Sequence, residues 1–204
     1  MSNTLQRIFY INLDKRADRR EQIERELRQY NLYDKAERFS AFHTPDQGCL
    51  GCAMSHLAVL ELAKERNYQQ VLILEDDFYF TVSPQEFENL LQTFFESAPN
   101  YNVCMISYNM IQSTATNQPF IQKILEAQTA SGYIVHHSFY DPLIKILEEA
   151  IPLLRQTREH WNYANDQIWK RLQPTSNWFA IVPRCGKQRD GFSDNSNKQE
   201  SYDC

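Results

Sequence analysis

Glycine, long hydrophobic runs and a strong net charge are all scarce in this sequence of 204 residues. It has five glycines and eight prolines, and 42% of its residues are hydrophobic and 13% aromatic, a composition that excludes a disordered or collagen-like chain. No run approaches the roughly 18 consecutive apolar residues that a membrane-spanning helix needs. The length suits one globular unit, so we expect residues 1–204 to form a single domain.

The net charge of −5 comes from 26 acidic and 21 basic residues, and the basic ones are scattered along the chain. A nucleic-acid-binding surface needs clustered positive charge, so nucleic acid is not an expected partner. The sequence has no basic amphipathic helix that would dock on lipid, although peripheral contact with a membrane stays open.

Cysteine usage and the N-terminal residues predict a cytoplasmic protein. Five cysteines are an odd number for a chain of this size, which disfavours a disulfide framework. Residues 1–7 are too few and too polar for a secretory signal. Cys49 and Cys52 form a CxxC pair, but no second cysteine or histidine pair follows at the spacing that zinc needs. We therefore expect ordinary thiols at the start of a helix.

Hydrophobic periodicity alternates between buried strands and helices along the chain. Strands are expected at residues 8–13, 71–74, 103–107, 131–135 and 178–182. Helices are expected at residues 20–30, 53–65, 84–95, 141–154 and 164–172, and Ser83 is expected to cap the third of these. This alternation predicts an α/β fold with a mainly parallel central sheet flanked by helices. The last twenty residues are polar and are either a loose tail or a loop closing over a site.

An acidic triplet marks the expected site. Glu75, Asp76 and Asp77 directly follow the apolar run at residues 71–74, and ligands of open α/β sheets bind beyond the carboxyl ends of the strands. If the extended geometry continues, Glu75 and Asp77 share one side and Asp76 takes the other. Adjacent carboxylates repel one another unless they share a cation, and Mg²⁺ or Mn²⁺ holding a diphosphate suits them. The alternative is a solvated turn between a strand and a loop.

Four motifs in order resemble glycosyltransferase family 25, which includes lipooligosaccharide and collagen hydroxylysine galactosyltransferases. They are INL-x-x-R-x-DR at residues 11–19, R-F-x-A at residues 38–41, a serine–histidine pair at residues 55–56 and EDD at residues 75–77. Residues 131–135 and 165–169 and the closing P…Q…SD segment at 183–194 also resemble the family. Residues 109–128 match none of its motifs, and Asn195 replaces the usual apolar residue.

The resemblance implies a GT-A type fold and a hexosyltransferase of lipooligosaccharide biosynthesis. It implies a UDP-sugar donor (most often UDP-galactose), Mn²⁺ or Mg²⁺ as cofactor, and a carbohydrate or glycoconjugate acceptor. The resemblance also assigns roles by motif. It implies that the metal is held by Glu75 and Asp77 and that Asp76 lies near the ribose or the sugar. It implies that the nucleotide end of the site contains Asn12, Arg16 and Arg19 and that the donor pocket is lined by Ser55 and His56. Each assignment has a structural alternative: Asn12 as a turn cap, the arginines as a solvated helix start, and Ser55–His56 as a buried polar pair tying a helix to the sheet.

The resemblance also implies a sugar transfer that inverts the anomeric centre. Such a transfer needs a base that deprotonates the acceptor hydroxyl, and Asp166 is the candidate. It opens a predicted helix, where the helix dipole favours an ionised carboxylate. Asp194 is the second choice. Two other classes stay open at this point: a metal-dependent phosphohydrolase, which also places carboxylates after a buried strand, and a non-catalytic module that binds sugar nucleotides.

Overall fold

The computed structural model describes residues 5–98, 100–193 and 198–201. Its twelve described strands form one eight-stranded sheet and two small two-stranded sheets. The strands are β1 Arg7–Asn12, β2 Ala36–Ser40, β3 Gln70–Glu75, β4 Phe78–Phe80, β5 Val103–Met105, β6 Asn109–Ala115, β7 Ile121–Gln128, β8 Gly132–His136, β9 Trp178–Ile181, β10 Gly186–Gln188, β11 Gly191–Ser193 and β12 Lys198–Glu200. The helices are α1 Ala17–Gln29, α2 Gly48–Glu65, α3 Pro84–Ser97, α4 Tyr140–Thr157, α5 His160–Tyr163 and α6 Asn165–Ile168.

The central sheet confirms the α/β fold class, but its strands are mixed in direction. Its order is β2-β1-β3-β8-β5-β9-β7-β6. Strands β2, β1 and β3 are mutually parallel, with α1 and α2 as the crossovers. Six of the sheet's eight strands run in one direction, as expected for a mainly parallel sheet, but β8 and β7 run in the other, so that only three of the seven strand pairs are parallel.

The core lies in two layers, one on each face of this sheet. Alternate residues of β1 and β3, such as Phe9 and Ile73, pack in the layer that contains α2 and α4. Their neighbours Ile8 and Leu72 pack in the layer that contains α1 and α3. Burial on both faces explains why these strands read as continuous apolar runs.

The helix boundaries follow recognisable signals. Ser83 Oγ accepts a hydrogen bond of 3.3 Å from the amide of Glu86, which confirms the predicted cap of α3. The expected helix at residues 53–65 begins earlier, at Gly48, so that Cys49 and Cys52 lie in its first turns. The four described cysteines are free thiols. Within the described residues, no helix combines the length and apolarity needed to cross a membrane.

Two regions differ from the expectation. Residues 109–128, which match no motif, form the β6–β7 hairpin at one edge of the central sheet. The polar C-terminal segment contains β10, which pairs with β4, and β11, which pairs with β12. These strands are three residues each, too short to give a periodic signal in the sequence.

Candidate active site

A cleft of about 350 Å³ opens at the carboxyl ends of β1 and β3. Its floor contains Glu75, Asp76 and Asp77, so the acidic triplet lies at the edge of the sheet where the sequence placed it. Two aromatic residues also line the cleft: Phe42, from the segment after β2, and Phe192, from β11. Both rings are partly exposed, at 44% and 45%.

The acidic triplet divides into two parts. Extended geometry ends with Glu75, since Asp76 and Asp77 form the turn before β4. The Nη1 atom of Arg19 lies 3.1 Å from Asp76 Oδ1 and 3.0 Å from Asp77 Oδ2. The expectation that Asp76 points away from Asp77 is therefore wrong: both side chains converge on one guanidinium, and we call these two residues the acid pair.

Glu75 has a different set of partners. Its Oε1 atom lies 3.1 Å from His56 Nε2 and 3.5 Å from Cys52 Sγ. On the far side of the imidazole, Nδ1 lies 2.8 Å from the hydroxyl of Tyr133. An ionised carboxylate only accepts, so His56 donates from Nε2 and accepts the tyrosine proton at Nδ1. His56 is fully buried and holds Glu75 in place at the cleft floor.

The carboxyl pKa values of the triplet shift in opposite directions. Burial alone raises a carboxyl pKa, but the hydrogen bonds from His56 and Cys52 bring the pKa of Glu75 below its ordinary value. Burial raises the pKa of Asp77 to about 7, and the charge of Glu75 adds to this, while Arg19 and a hydrogen bond from Gln188 offset only part of it. Burial also raises the pKa of Asp76.

Asn12 donates a hydrogen bond to one member of the acid pair. Its Nδ2 atom donates to Asp76 Oδ2 at 2.7 Å, and its Oδ1 atom accepts from Arg38 Nε at 2.9 Å. Asn12 is 1% exposed, and the described residues that border the cleft do not include it. Arg38 of the R-F-x-A motif thus acts on the site through Asn12, a link that the sequence analysis missed because 26 residues separate them.

Arg16 and Arg19 both reach the C-terminal segment. Their guanidinium groups donate to the carbonyl oxygen of Phe192 at 3.3 and 2.7 Å. The carboxylate partner of Arg16 is Asp18, at 2.8 Å. Residues 188, 192 and 193 border the cleft, so this part of the tail lies at the site as one of the two expectations had it, but it forms the short strands β10 and β11 and not a loop. The second base candidate, Asp194, lies outside the described residues.

Ser55 lies behind the cleft wall. Its hydroxyl donates to the carbonyl of Gly51 at 2.7 Å and accepts the amide of Phe42 at 2.9 Å. A Cβ atom at Gly51 would collide with the carbonyl oxygen of Phe42, so the helix and this segment can approach only at a glycine. Ser55 is fully buried and fixes the position of Phe42, which was not predicted as a site residue. The signal was available, since Phe42 directly follows the R-F-x-A motif.

Asp166 lies in α6, next to the buried Asn165. Its Oδ2 atom accepts the amide of Thr129 at 3.1 Å, and burial raises its pKa. The described residues that border the cleft do not include Asp166. Cys52 connects the two regions, because its thiol lies 3.8 Å from Asn165 Oδ1 as well as against Glu75.

The floor of the cleft fits a divalent cation. Asp77 Oδ1 is buried and has no hydrogen-bond donor among the described residues, and none of these residues donates to Glu75 Oε2. Cys52, His56 and Glu75 also have potential ligand atoms within 4.8 Å of one another. Hydrogen bonds between these three groups account for that cluster, and burial keeps the Cys52 thiol protonated by raising its pKa. Oxygen ligands from Glu75 and Asp77 are the better match to Mg²⁺ or Mn²⁺.

The large mixed sheet flanked by helices, with a carboxylate cluster at the end of β3, agrees with the GT-A type fold that the sequence predicts. The sequence model of glycosyltransferase family 25 (LPS biosynthesis protein) matches residues 43–168, well over half of the chain. The chain therefore belongs to glycosyltransferase family 25, and it is a glycosyltransferase. The INL-x-x-R-x-DR and R-F-x-A motifs lie N-terminal to the matched range. No curated protein matches the sequence significantly.

The first of two similar solved structures supports the fold. The chain resembles a glycosyltransferase involved in the glycosylation of the major capsid of PBCV-1, with 13% identity, a TM-score of 0.58 and coverage of 95% of this chain and 97% of that one. It also matches the glycosyltransferase GlyE of Streptococcus pneumoniae TIGR4, with 11% identity, a TM-score of 0.49 and coverage of 88% and 45%.

Proposed function

We propose that this enzyme transfers a hexose, galactose in the first instance, from a UDP-sugar to a hydroxyl of a glycan or glycoconjugate. The transfer depends on Mn²⁺ or Mg²⁺ and inverts the anomeric centre. The observation that carries the proposal is the cleft floor, where Asp76 and Asp77 share one guanidinium, Glu75 lines the same cleft, and one carboxylate oxygen, Asp77 Oδ1, has no partner among the described residues. Excess negative charge at the end of a parallel strand is the environment that a cation–diphosphate pair needs.

Glu75 and Asp77 would hold the cation. Each keeps a carboxylate oxygen without a donor among the described residues, whereas both oxygens of Asp76 are engaged by Asn12 and Arg19. A bound cation supplies a Lewis acid that neutralises the charge developing on the leaving diphosphate. His56 and Tyr133 would keep Glu75 oriented and ionised, since hydrogen bonds to a metal ligand fix its geometry and basicity.

The donor's other contacts would come from the walls of the cleft. Arg19 borders the cleft, whereas Arg16 is not among the described residues that border it and lies near it on the carbonyl of Phe192. Both suit phosphate oxygens, because a guanidinium binds them in a bidentate manner. The cleft volume of about 350 Å³ lies at the lower end of the range for small-molecule sites. Phe42 presents an exposed ring on which a planar base or the apolar face of a sugar can lie.

Asp166 is the proposed base for the acceptor hydroxyl. A carboxyl whose pKa is raised by burial is better matched to proton transfer near neutral pH than an exposed one. We expect Asp166→Asn to lower turnover by about 10²-fold or more while the affinity for the donor stays the same. Turnover close to that of the wild type would exclude Asp166 from this role.

The test of the function uses UDP-galactose, UDP-glucose and GDP-mannose in a thermal-shift panel with and without Mn²⁺, because a ligand of the folded state raises its stability. We expect a UDP-sugar to raise the melting temperature only when Mn²⁺ is present. Transfer to a glycan acceptor is then measured as release of UDP, and NMR of the product gives its anomeric configuration. Release of inorganic phosphate instead of UDP would favour a phosphohydrolase, and binding without transfer to any acceptor would favour a binding module.

A further inference from the structure

Arg19 supplies the positive charge that contacts the acid pair. One nitrogen, Nη1, contacts both carboxylates at 3.1 and 3.0 Å, and the side chain is only 12% exposed. Its second nitrogen, Nη2, donates to the backbone carbonyl of Phe192 at 2.7 Å. The guanidinium is thus divided between two anionic groups and one neutral acceptor.

Among the described residues, three acidic and two basic ones line the cleft. Arg19 contacts Asp76 and Asp77, and the second basic residue, Lys15, lies 3.3 Å from His43. The buried Oδ1 atom of Asp77 faces no donor among the described residues. A divalent cation that binds there lies close to Arg19, so the two positive charges oppose each other in a partly desolvated site.

A bound diphosphate would offset the repulsion between the divalent cation and Arg19. The bond from Nη2 to Phe192 is made to a neutral carbonyl, whereas a phosphate oxygen would accept a charge-assisted bond, which is about twice as strong. Exchange of partners by the guanidinium would bring negative charge next to both the cation and Arg19. The same residue that weakens binding of the cation alone then strengthens binding of the cation and the diphosphate together.

We infer that Arg19 couples the binding of the cation and the diphosphate. As the counter-ion of the acid pair, it keeps the affinity for a divalent cation low while no diphosphate is bound. When a diphosphate binds, the guanidinium moves from the acid pair to a phosphate oxygen. The inference rests on the proposed function, since it assumes that the cleft takes a cation and a nucleoside diphosphate. It predicts that the cation and UDP bind cooperatively and that most of the cooperativity depends on one side chain.

The test is a thermodynamic cycle on the full chain. Mn²⁺ is titrated at pH 8, above the pKa of about 7 that burial gives Asp77, with free Mn²⁺ followed by electron paramagnetic resonance and Mn²⁺ binding to UDP in buffer subtracted. In the wild type we expect saturating UDP to tighten Mn²⁺ binding by about 10-fold or more. In Arg19→Gln we expect Mn²⁺ alone to bind about 10-fold more tightly than in the wild type, and UDP to add less than about 3-fold.

Arg20→Gln is the matched control. Arg20 lies next to Arg19 on α1, but its guanidinium pairs with Glu24 at 2.9 Å and its side chain is half exposed. We expect this variant to bind Mn²⁺ alone within about 2-fold of the wild type, because the charge it removes is exposed and pairs outside the acid pair. An equal increase in Arg20→Gln and Arg19→Gln would reduce the effect to general electrostatics and overturn the coupling role.

The remaining outcomes separate this inference from the proposed function. If Mn²⁺ and UDP both bind but Arg19→Gln leaves the affinity for Mn²⁺ alone and the cooperativity unchanged, the role of Arg19 is wrong and the function stands. If the wild type binds neither ligand, both are wrong. A crystal structure of the wild type with Mn²⁺ and UDP avoids any dependence on the folding of the variant. It should place Arg19 within hydrogen-bond distance of a phosphate oxygen, and a guanidinium that still bridges the acid pair without touching phosphate would overturn the inference.

Discussion

Glu75 and Asp77 are two residues apart and line the same cleft, with side chains that are 17% and 9% exposed, yet their environments differ. Glu75 accepts hydrogen bonds from His56 and Cys52, and its pKa is lowered. Asp77 shares Arg19 with Asp76, has one oxygen without a donor among the described residues, and has a pKa raised to about 7.

The comparison teaches that burial does not determine protonation by itself. The donors around Glu75 come from α2, an element that packs on the sheet and that holds the carboxylate ready in its ionised form. The acid pair lies in a turn, where its one guanidinium partner is shared with the C-terminal segment. The fold supplies hydrogen-bond donors to Glu75, whereas Asp77 Oδ1 has no donor among the described residues.

The largest expected effect is the loss of activity on neutralising either carboxylate. Glu75→Gln and Asp77→Asn should each lower turnover by about 10³-fold, because each removes a charged oxygen ligand of the proposed cation. Initial rates of UDP release at saturating Mn²⁺ give the measurement. An effect below about tenfold for Asp77→Asn would show that the orphaned oxygen is not a cation ligand.

The same two variants should differ in stability without the cation. A raised folded-state pKa means that Asp77 stabilises the fold fully below about pH 4 and that this contribution is lost as the pH rises through 7. A lowered pKa means that Glu75 stabilises the fold at neutral pH and loses this contribution on acidification. At pH 8 in EDTA, Asp77→Asn should therefore unfold at higher urea concentration than the wild type and Glu75→Gln at lower. Shifts of the same sign would break the comparison.

A smaller effect is expected when Glu75 loses its support. His56→Phe leaves Glu75 and the Tyr133 hydroxyl without their shared partner, so we expect a loss of about 1–3 kcal/mol in the free energy of unfolding and a 10- to 100-fold loss of activity at limiting Mn²⁺ (about the range for residues that orient metal ligands). Tyr133→Phe removes only the outer hydroxyl. If it lowers activity as much as His56→Phe, the order of the chain Tyr133–His56–Glu75 is wrong.

The smallest effect concerns the wall of the cleft. Ser55→Ala frees the amide of Phe42, and we expect the KM for the donor to rise about 3- to 10-fold with little change in kcat, for a stability loss of about 1 kcal/mol. Thr93→Ala is the control, because Thr93 also donates to the carbonyl four residues earlier but lies on α3. Equal changes in KM for the two variants would contradict a positioning role for Ser55.

The first half of the fold was predictable from sequence for physical reasons. Strands β1 and β3 are covered on both faces and therefore appear as apolar runs, and the Ser83 cap and Pro84 mark the start of α3. The β6–β7 hairpin was not predictable, because β6 is a polar, largely exposed edge strand. The direction of β8 was also hidden, since it depends on pairing with β3 about 60 residues earlier and not on local pattern.

The candidate site was predicted in its parts but not in its connections. The acidic triplet was expected at the sheet edge and Arg19 at the nucleotide end of the site, and the structure brings Arg19 into contact with Asp76 and Asp77. The sequence could not indicate that Asn12 and Ser55 act through other residues, because those roles depend on contacts with Asp76 and Phe42. Strand alternation failed at Asp76 because the backbone turns there.

The edge position of the β6–β7 hairpin has a consequence for engineering. The outer strand β6 pairs with β7, and within the described residues no further strand of the sheet lies beyond it. Residues can be exchanged or inserted near its tip without breaking a ladder on the outer side. Grafting the tips of related hairpins onto this chain would therefore produce a library of chimaeras that all keep the same acidic floor.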